Sequence, residues 1–215
     1  MTPAGTLGSV VGIVLAGGLS RRMGGGDKGL RDLAGRPMLA HIIDRLAPQV
    51  QRIAINANGD PERFSAFGLP VVPDTVGGFA GPLAGVLAGM RWTIANAPEA
   101  RWIATAPGDA PLLPLNFVEV LAGAVAANGR GIALAQSNAR LHPVAGLWPV
   151  VLADDLEAAL AAGVHKVLDW AGQHGVVPVP FELVRVGAIE ADPFFNANTP
   201  EEFATLLDLL ARAAT

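Results

Sequence analysis

An apolar run leads directly into a glycine-rich, basic loop in Val10-Val11-Gly12-Ile13-Val14-Leu15-Ala16-Gly17-Gly18-Leu19-Ser20-Arg21-Arg22-Met23-Gly24-Gly25-Gly26-Asp27-Lys28. The run from Val10 to Leu15 predicts a buried β-strand that ends at the first glycine of the loop. Glycine lets backbone N–H groups approach an anion, and Arg and Lys add charge-assisted hydrogen bonds to phosphate. We therefore expect an oxyanion-binding loop after the first strand; the alternative is a charged surface loop.

Glycine and lysine are distributed unevenly along the chain. Of the 26 glycines, six lie in residues 17–29 and five in residues 77–89. The sequence holds two lysines, Lys28 and Lys166, so the first window contains one of them. The glycines indicate either turns or backbone that approaches a ligand closely. The second window contains no Lys or Arg, and the next basic residue along the chain is Arg91. Its glycines are therefore also compatible with helix packing.

Composition excludes several classes of protein. The chain has 215 residues, 51% hydrophobic residues and a formal net charge of −4, which argues against a nucleic-acid-binding protein. Cysteine is absent, which excludes disulfides, thiolate nucleophiles and Cys-ligated metal sites. No apolar segment is long enough for a membrane span. We expect one cytoplasmic domain over residues 1–215, with residues 1–9 as a flexible lead.

Apolar runs alternate with helical patterns over the whole length. Strands are predicted at 10–15, 52–56, 69–72, 102–106, 131–135 and 144–147, and helices at 37–46, 83–90, 116–127 and from Thr199 onward. Such alternation favours an α/β fold, a three-layer Rossmann-like sandwich with a mostly parallel central sheet. Asn116 with Glu119, and Thr199 with Glu202, have the spacing of a capping box at a helix start.

Polar residues follow several predicted strands, at the edge of the sheet where ligands bind in such folds. Asp109 follows the strand at 102–106, and a carboxylate there suits Mg²⁺, which takes one or two carboxylates together with substrate phosphates. Asn56 and Asp74 also follow strands. For each of these residues the alternative is a turn residue that hydrogen-bonds local N–H groups. The four histidines show no metal-binding spacing, and no hydrolase motif occurs.

Five segments together resemble one enzyme family, the molybdenum cofactor guanylyltransferases, which are nucleotidyltransferases with the fold of the nucleotide-diphospho-sugar transferases. The segments are Leu15 to Leu30, Gly81-Pro82-Leu83-Ala84-Gly85, Pro107-Gly108-Asp109-Ala110-Pro111, His142-Pro143-Val144 and Phe195-Asn196-Ala197-Asn198-Thr199-Pro200. The chain departs from the pattern at Gly108, where relatives commonly carry cysteine. Gly18 favours the guanylyl branch, because cytidylyl relatives tend to read Leu-Ala-Ala-Gly.

The resemblance implies roles for particular residues. It places the nucleotide on the backbone of Leu15, Ala16, Gly17 and Gly18, and against Asn56 and Asp74. Lys28 would bind phosphate, Arg22 would lie over the triphosphate, and Asp109 would hold Mg²⁺, which makes these three the catalytic set. Gly81, Gly85, Asn196 and Asn198 would lie on the pterin side.

The implied reaction transfers GMP from GTP to the terminal phosphate of molybdenum-bound molybdopterin and releases pyrophosphate. A monomer is expected, with transient contacts to other molybdenum cofactor proteins and with no nucleic acid or membrane partner. Three alternatives stay open: a CTP-dependent cytidylyltransferase on the same pterin, a guanylyltransferase on another small phosphate, and a nucleotide-binding module without catalysis.

Overall fold

A seven-stranded sheet forms the centre of the computed structural model, which describes residues 8–17, 27–76, 81–129, 131–197 and 199–213. In chain order the strands are β1 (Val10–Leu15), β2 (Asp32–Leu33), β3 (Arg36–Pro37), β4 (Arg52–Asn56), β5 (Val71–Val72), β6 (Trp102–Pro107), β7 (Ile132–Ser137), β8 (Arg140–Pro149), β9 (Val176–Pro180), β10 (Val184–Val186) and β11 (Ile189–Ala191). The helices are α1 (Met38–Leu46), α2 (Pro82–Asn96), α3 (Phe117–Asn128), α4 (Ala153–Ala161), α5 (Val167–Ala171) and α6 (Pro200–Ala213). Within these ranges no helix has both the length and the apolar character that crossing a bilayer requires.

The large sheet has the order β5-β4-β1-β6-β8-β7-β9 and is mostly parallel, as predicted. β1 runs parallel to β4 and β6, whereas β8 runs antiparallel to both of its neighbours. The antiparallel strand follows from the two-residue turn Asn138-Ala139, whose φ angles of 47° and 60° match the turns that join antiparallel hairpins. The remaining four strands form two short ribbons, β2 with β3 and β10 with β11.

Helices cover both faces of the sheet, which confirms the three-layer α/β architecture. The side chains of β1 alternate between the faces, as expected for a strand buried on both sides. Val11 and Ile13 pack in one core with α2, α4 and α5, whereas Val10 and Val14 pack in the other with α1 and α3. A third, smaller core joins α6 to β10 and to residues ahead of α1.

Several predicted elements differ from those observed. The predicted strand at 69–72 is only the two-residue β5, and β8 extends well beyond the predicted 144–147. The capping box at Asn116 was wrong, because the Asn116 side chain makes no capping hydrogen bond. The box at Thr199 is confirmed: the Glu202 amide donates to Thr199 Oγ1 at 3.2 Å, and the Thr199 amide donates to a Glu202 carboxylate oxygen at 3.0 Å.

A buried hydroxyl connects β6 to β8 inside the sheet. Trp148 Nε1 donates to Thr105 Oγ1 at 2.7 Å, and the Thr105 hydroxyl donates to the Val144 carbonyl at 2.8 Å. Thr105 and Trp148 are both fully buried. Their polar atoms are thus satisfied within the core, which is the condition for burying them at low cost.

Helix α2 lies close to the sheet because glycines face the strands. A Cβ on Gly89 would come within 2.7 Å of Ile13 Cγ1, closer than carbon atoms approach without displacement. The helix is also buried over most of its surface, from Leu83 to Met90. Gly123 of α3 contrasts with Gly89, since a Cβ there would have no neighbour within 4 Å.

We expect opposite effects of alanine at these two helical glycines. Gly89→Ala should lower the free energy of unfolding by about 1–3 kcal/mol through overpacking against Ile13. Gly123→Ala, at an exposed position, should raise it by about 0.5–1 kcal/mol because alanine restricts the unfolded chain. Urea unfolding with an unchanged m-value measures both. Equal effects of the two substitutions would contradict the close packing of α2.

Candidate functional site

Three strand ends meet at one edge of the sheet. Leu15, the last residue of β1, is in register with Asn56 of β4 on one side and with Pro107 of β6 on the other. From β1 the chain passes to β4 and β5 on one side and only later to β6 on the other. The gap between β1 and β6 is therefore the topological switch point, where open α/β sheets bind their ligands. The predicted site residues after these strands are brought to this edge.

Backbone contacts hold the strand ends together beyond the sheet itself. The Ala16 amide donates to the Asn56 carbonyl at 2.9 Å, and the Gly108 amide donates to the Leu15 carbonyl at 2.9 Å. A Cβ on Gly108 would lie 2.8 Å from the Leu15 oxygen and 3.1 Å from Ala16 Cα. Gly108, where relatives commonly carry cysteine, thus lies where the chain after β6 comes very close to the backbone at the end of β1.

Lys28 and Asp109 form an ion pair at the switch point. Lys28 Nζ lies 2.7 Å from Asp109 Oδ2, with the side chains 13% and 24% exposed. Lys28 begins a 3₁₀ turn, Lys28–Leu30, and a Cβ on Gly29 within that turn would come within 2.6 Å of Leu39. The structure therefore brings together two predicted catalytic residues that are 81 positions apart.

Asn56 and Asp74 are joined directly. Asn56 Nδ2 donates to Asp74 Oδ1 at 2.9 Å and to the Val72 carbonyl at 3.0 Å, so both of its amide hydrogens are used within the protein. Asn58, which the sequence analysis did not single out, completes the cluster. Its Nδ2 donates to Asp74 Oδ2 at 2.7 Å, and its Oδ1 accepts from the Asp74 amide at 2.8 Å.

Gly85 allows α2 to approach this cluster. A Cβ on Gly85 would lie 2.3 Å from Asn56 Oδ1 and 2.9 Å from a methyl group of Leu15. Gly85 is thus in contact with two residues of the predicted nucleotide set, although the resemblance assigned it to the pterin side. Gly81 precedes α2 with a φ of 71°, and a Cβ there would lie 3.7 Å from the His165 carbonyl oxygen.

Asn196 lies in a segment that reaches Asp109. The Ala197 amide donates to the Asp109 carbonyl at 3.3 Å, which places the residue after Asn196 against the backbone of the residue that pairs with Lys28. Asn196 Oδ1 is buried, and it finds no hydrogen-bond partner among the residues that the structure describes. Three further predicted site residues, Gly18, Arg22 and Asn198, lie outside the described residues.

Sequence reasoning missed two groups near the site. The first is an arginine: Arg63 pairs with Asp27 at 2.5 Å, next to Lys28, and also donates to the carbonyls of Asn58 and Asp60.

The second group consists of Ser137, which contacts both His142 and Asp192. The sequence analysis did not mention Ser137 or Asp192. The sequence analysis named His142 as part of the segment His142-Pro143-Val144, which gives no indication of a partner 50 residues later.

The second group is buried and defines the tautomer of a histidine. Ser137 Oγ lies 2.7 Å from His142 Nε2 and 2.8 and 2.9 Å from the two Asp192 oxygens. A carboxylate only accepts, so the Ser137 hydroxyl donates to Asp192 and His142 Nε2–H donates to Ser137. Burial lowers the pKa of His142, with Asp192 opposing and Arg140 adding to that effect.

Asp109 is the residue at the switch point whose chemistry suits a divalent cation held together with a substrate. Among the described residues no group of three or more His, Asp and Glu side chains is arranged to hold a metal ion. Asp109 offers one carboxylate at the switch point, next to a cation that suits phosphate. This arrangement matches the way Mg²⁺ binds through one or two carboxylates and substrate phosphates.

Solved structures share this fold. The molybdopterin-guanine dinucleotide biosynthesis protein A of Archaeoglobus fulgidus superimposes with a TM-score of 0.72 at 21% identity, covering 94% of this chain and 99% of that one. Rv0371C of Mycobacterium tuberculosis, in a complex with manganese, gives a TM-score of 0.61 at 19% identity, covering 93% of this chain and 98% of that one. At identities of 21% and 19%, these likenesses show a shared fold and nothing more.

Sequence relatives are much closer. The molybdenum cofactor guanylyltransferase of Bradyrhizobium sp. (strain ORS 278) is 50% identical over 93% of this chain and 92% of its own length. That of Rhodopseudomonas palustris (strain BisB5) is 52% identical over 89% and 90%. The model of the MobA-like NTP transferase domain matches residues 12–176. The chain, with its ion pair at the switch point of a nucleotidyltransferase fold, belongs to the molybdenum cofactor guanylyltransferase family.

Proposed function

We propose that this enzyme transfers GMP from GTP to the terminal phosphate of molybdenum-bound molybdopterin and releases pyrophosphate. The contact between Lys28 Nζ and Asp109 Oδ2, at 2.7 Å, is the observation that carries the proposal. Both side chains lie at the edge where α/β sheets bind their ligands, which supports a phosphate-binding role for Lys28 and a metal-binding role for Asp109. The names of the relatives at 50% and 52% identity supply the nucleotide and the pathway.

The chemistry requires positioning and charge neutralisation more than proton transfer. The phosphate oxygen of the acceptor is already an anion, so the attack on the α-phosphorus needs no general base. Lys28 stabilises the negative charge that develops on the leaving pyrophosphate, and Arg22 is proposed to assist it. The backbone of Leu15, Ala16, Gly17 and Gly18 holds the nucleotide against the strand ends.

Asp109 is the proposed metal ligand. When bound, Mg²⁺ supplies charge neutralisation at the phosphate oxygens and orients them. Asp109 contributes its carboxylate, which forms an ion pair with Lys28. The manganese complex of Rv0371C supports a divalent ion in this fold.

The two substrates are proposed to occupy different sides of the switch point. Asn56 and Asp74, on the β4 and β5 side, serve the nucleotide, and their mutual hydrogen bond fixes both side chains. Asn196, Asn198 and Gly81 are proposed for the pterin. Gly85, which the resemblance assigned to the pterin side, packs against Asn56 and is proposed to border both substrates. Asn196 supports the pterin assignment, because its buried Oδ1 has no hydrogen-bond partner among the described residues. This oxygen is proposed to accept a hydrogen bond from a pterin N–H.

The setting of the reaction is also a proposal. We infer that residues 1–215 act as one cytoplasmic domain and as a monomer, with transient contacts to other molybdenum cofactor proteins that deliver or receive the pterin. The central sheet and the family match over residues 12–176 support a single domain. No nucleic acid or membrane partner is proposed.

Product analysis tests the function directly. The enzyme is incubated with Mg²⁺, purified molybdenum cofactor and GTP, CTP or ATP, and both pyrophosphate and the dinucleotide are measured, the latter by mass. GTP should give the guanine dinucleotide, with CTP and ATP giving little product. Preference for CTP would indicate a cytidylyltransferase. GTP binding without pyrophosphate release would indicate a non-catalytic nucleotide-binding module.

Removing the charge of Asp109 should abolish turnover with little effect on folding. Asp109→Asn keeps the shape of the side chain but loses the carboxylate, so we expect kcat to fall on the order of 100-fold or more. Asp44→Asn is the matched control, since Asp44 forms an exposed ion pair with Arg36. Thermal unfolding verifies that both variants fold. Guanylylation by Asp109→Asn at the rate of the control would remove Asp109 from the reaction.

Removing the ammonium of Lys28 should weaken GTP binding. A charge-assisted hydrogen bond contributes about 1.5–3 kcal/mol, so Lys28→Met should raise the GTP Kd about 10- to 100-fold in calorimetric titrations. Lys166→Met alters the other lysine of the chain, which is exposed, and should leave the Kd unchanged. An unchanged Kd in Lys28→Met would place the phosphates elsewhere.

A further inference from the structure

The segment 192–197 connects a buried polar cluster to the ion pair. At its start, Asp192 accepts from the Ser137 hydroxyl and, through Oδ1, from the Phe194 amide at 2.8 Å. At its end, the Ala197 amide donates to the Asp109 carbonyl. Asn196 lies between these two attachments. The position of Asn196 relative to Asp109 is therefore set from both ends of the segment.

Aromatic packing adds to the attachment at the start of the segment. The Phe194 ring lies 4.6 Å from the His142 ring and makes edge contacts with Phe117 at 6.0 Å and Phe181 at 5.4 Å, centroid to centroid. Phe194 and Ser137 are 2% exposed, and His142 is 9% exposed. Ser137, His142 and Phe194 thus belong to the core, where a single hydrogen-bonding arrangement is strongly preferred.

This cluster differs from a nucleophilic triad. In a triad the histidine lies between the hydroxyl and the carboxylate. Here the Ser137 hydroxyl lies between His142 and Asp192, and its proton is donated to the carboxylate. Ser137 is also buried away from solvent. The arrangement therefore orders donors and acceptors and does not activate the serine.

We propose that Ser137, His142 and Asp192 are positioning residues for the acceptor substrate, because they fix the segment that carries Asn196 beside Asp109. In this proposal an N–H group of the acceptor donates a hydrogen bond to the buried Asn196 Oδ1, and the three residues hold that oxygen in place. A mobile segment would misplace this oxygen and weaken acceptor binding, while the nucleotide contacts on the β4 side stay intact. The assignment rests on the proposed function, since that function defines the acceptor.

Ser137→Ala tests the proposal at its central atom, with Thr105→Val as the matched control. Both substitutions remove a buried hydroxyl that joins two partners, and both should lower Tm. In hydrogen exchange, the amides of Phe194 and Ala197 should exchange about tenfold faster in Ser137→Ala only. In steady-state assays, the KM for the molybdenum cofactor should rise about tenfold in Ser137→Ala with the KM for GTP unchanged.

A pair of substitutions at His142 supplies the second test. His142→Gln carries an amide N–H near the place of Nε2–H and should keep the acceptor KM within about threefold of wild type, whereas His142→Leu should behave as Ser137→Ala. Wild-type exchange rates at Phe194 and Ala197 in Ser137→Ala would overturn the proposal, as would equal rises of both KM values. Absence of guanylylation by the wild-type enzyme would instead overturn the proposed function, and the exchange result would still report on positioning.

Discussion

The contact between the carboxyl ends of β1 and β6 is the constraint on which the site depends. The Gly108 amide donates to the Leu15 carbonyl, and the two backbones are so close that a Cβ at position 108 would meet the Leu15 oxygen at 2.8 Å. This contact fixes where Asp109 leaves β6 relative to the loop that follows β1. The ion pair with Lys28 then forms across the switch point, between residues that the fold alone brings together.

Small residues surround this point because several elements converge on it. Gly85 lets α2 approach Asn56, Gly29 lets its turn approach Leu39, and Gly108 lets β6 approach β1. Each of these glycines has a neighbour closer than 3.0 Å to its ideal Cβ position, so a side chain at any of the three positions would displace that neighbour. Among the described glycines of the two windows, Gly29, Gly85 and Gly89 thus serve close packing, whereas a Cβ on Gly17 or Gly81 would make only ordinary contacts.

The sequence predicted the local features of the fold and site better than the long-range ones. Apolar runs located β1 and β4 to the residue, and the position of Asp109 after a strand indicated its place at the edge of the sheet. The strand predicted at 144–147 corresponds to part of β8, but its start at Arg140 and its antiparallel direction were not predicted. Both depend on the turn at Asn138-Ala139, and alanine with a positive φ gives no recognisable signal. The contact between Ser137 and Asp192 was missed because it spans 55 positions and involves no motif.

The charge of the site explains how an acidic protein can bind a triphosphate. The formal net charge is −4, yet the switch point holds a cation, Lys28, paired with Asp109 in a partly buried setting. The fold withdraws both groups largely from water, so part of their desolvation cost is met on folding. A phosphate that approaches Lys28 then replaces one anionic partner by another, and a cation that approaches Asp109 does the converse. The two exchanges favour each other, because a cation at Asp109 releases Lys28 for a phosphate and a phosphate at Lys28 releases Asp109 for a cation. Nucleotide and metal are therefore expected to bind together.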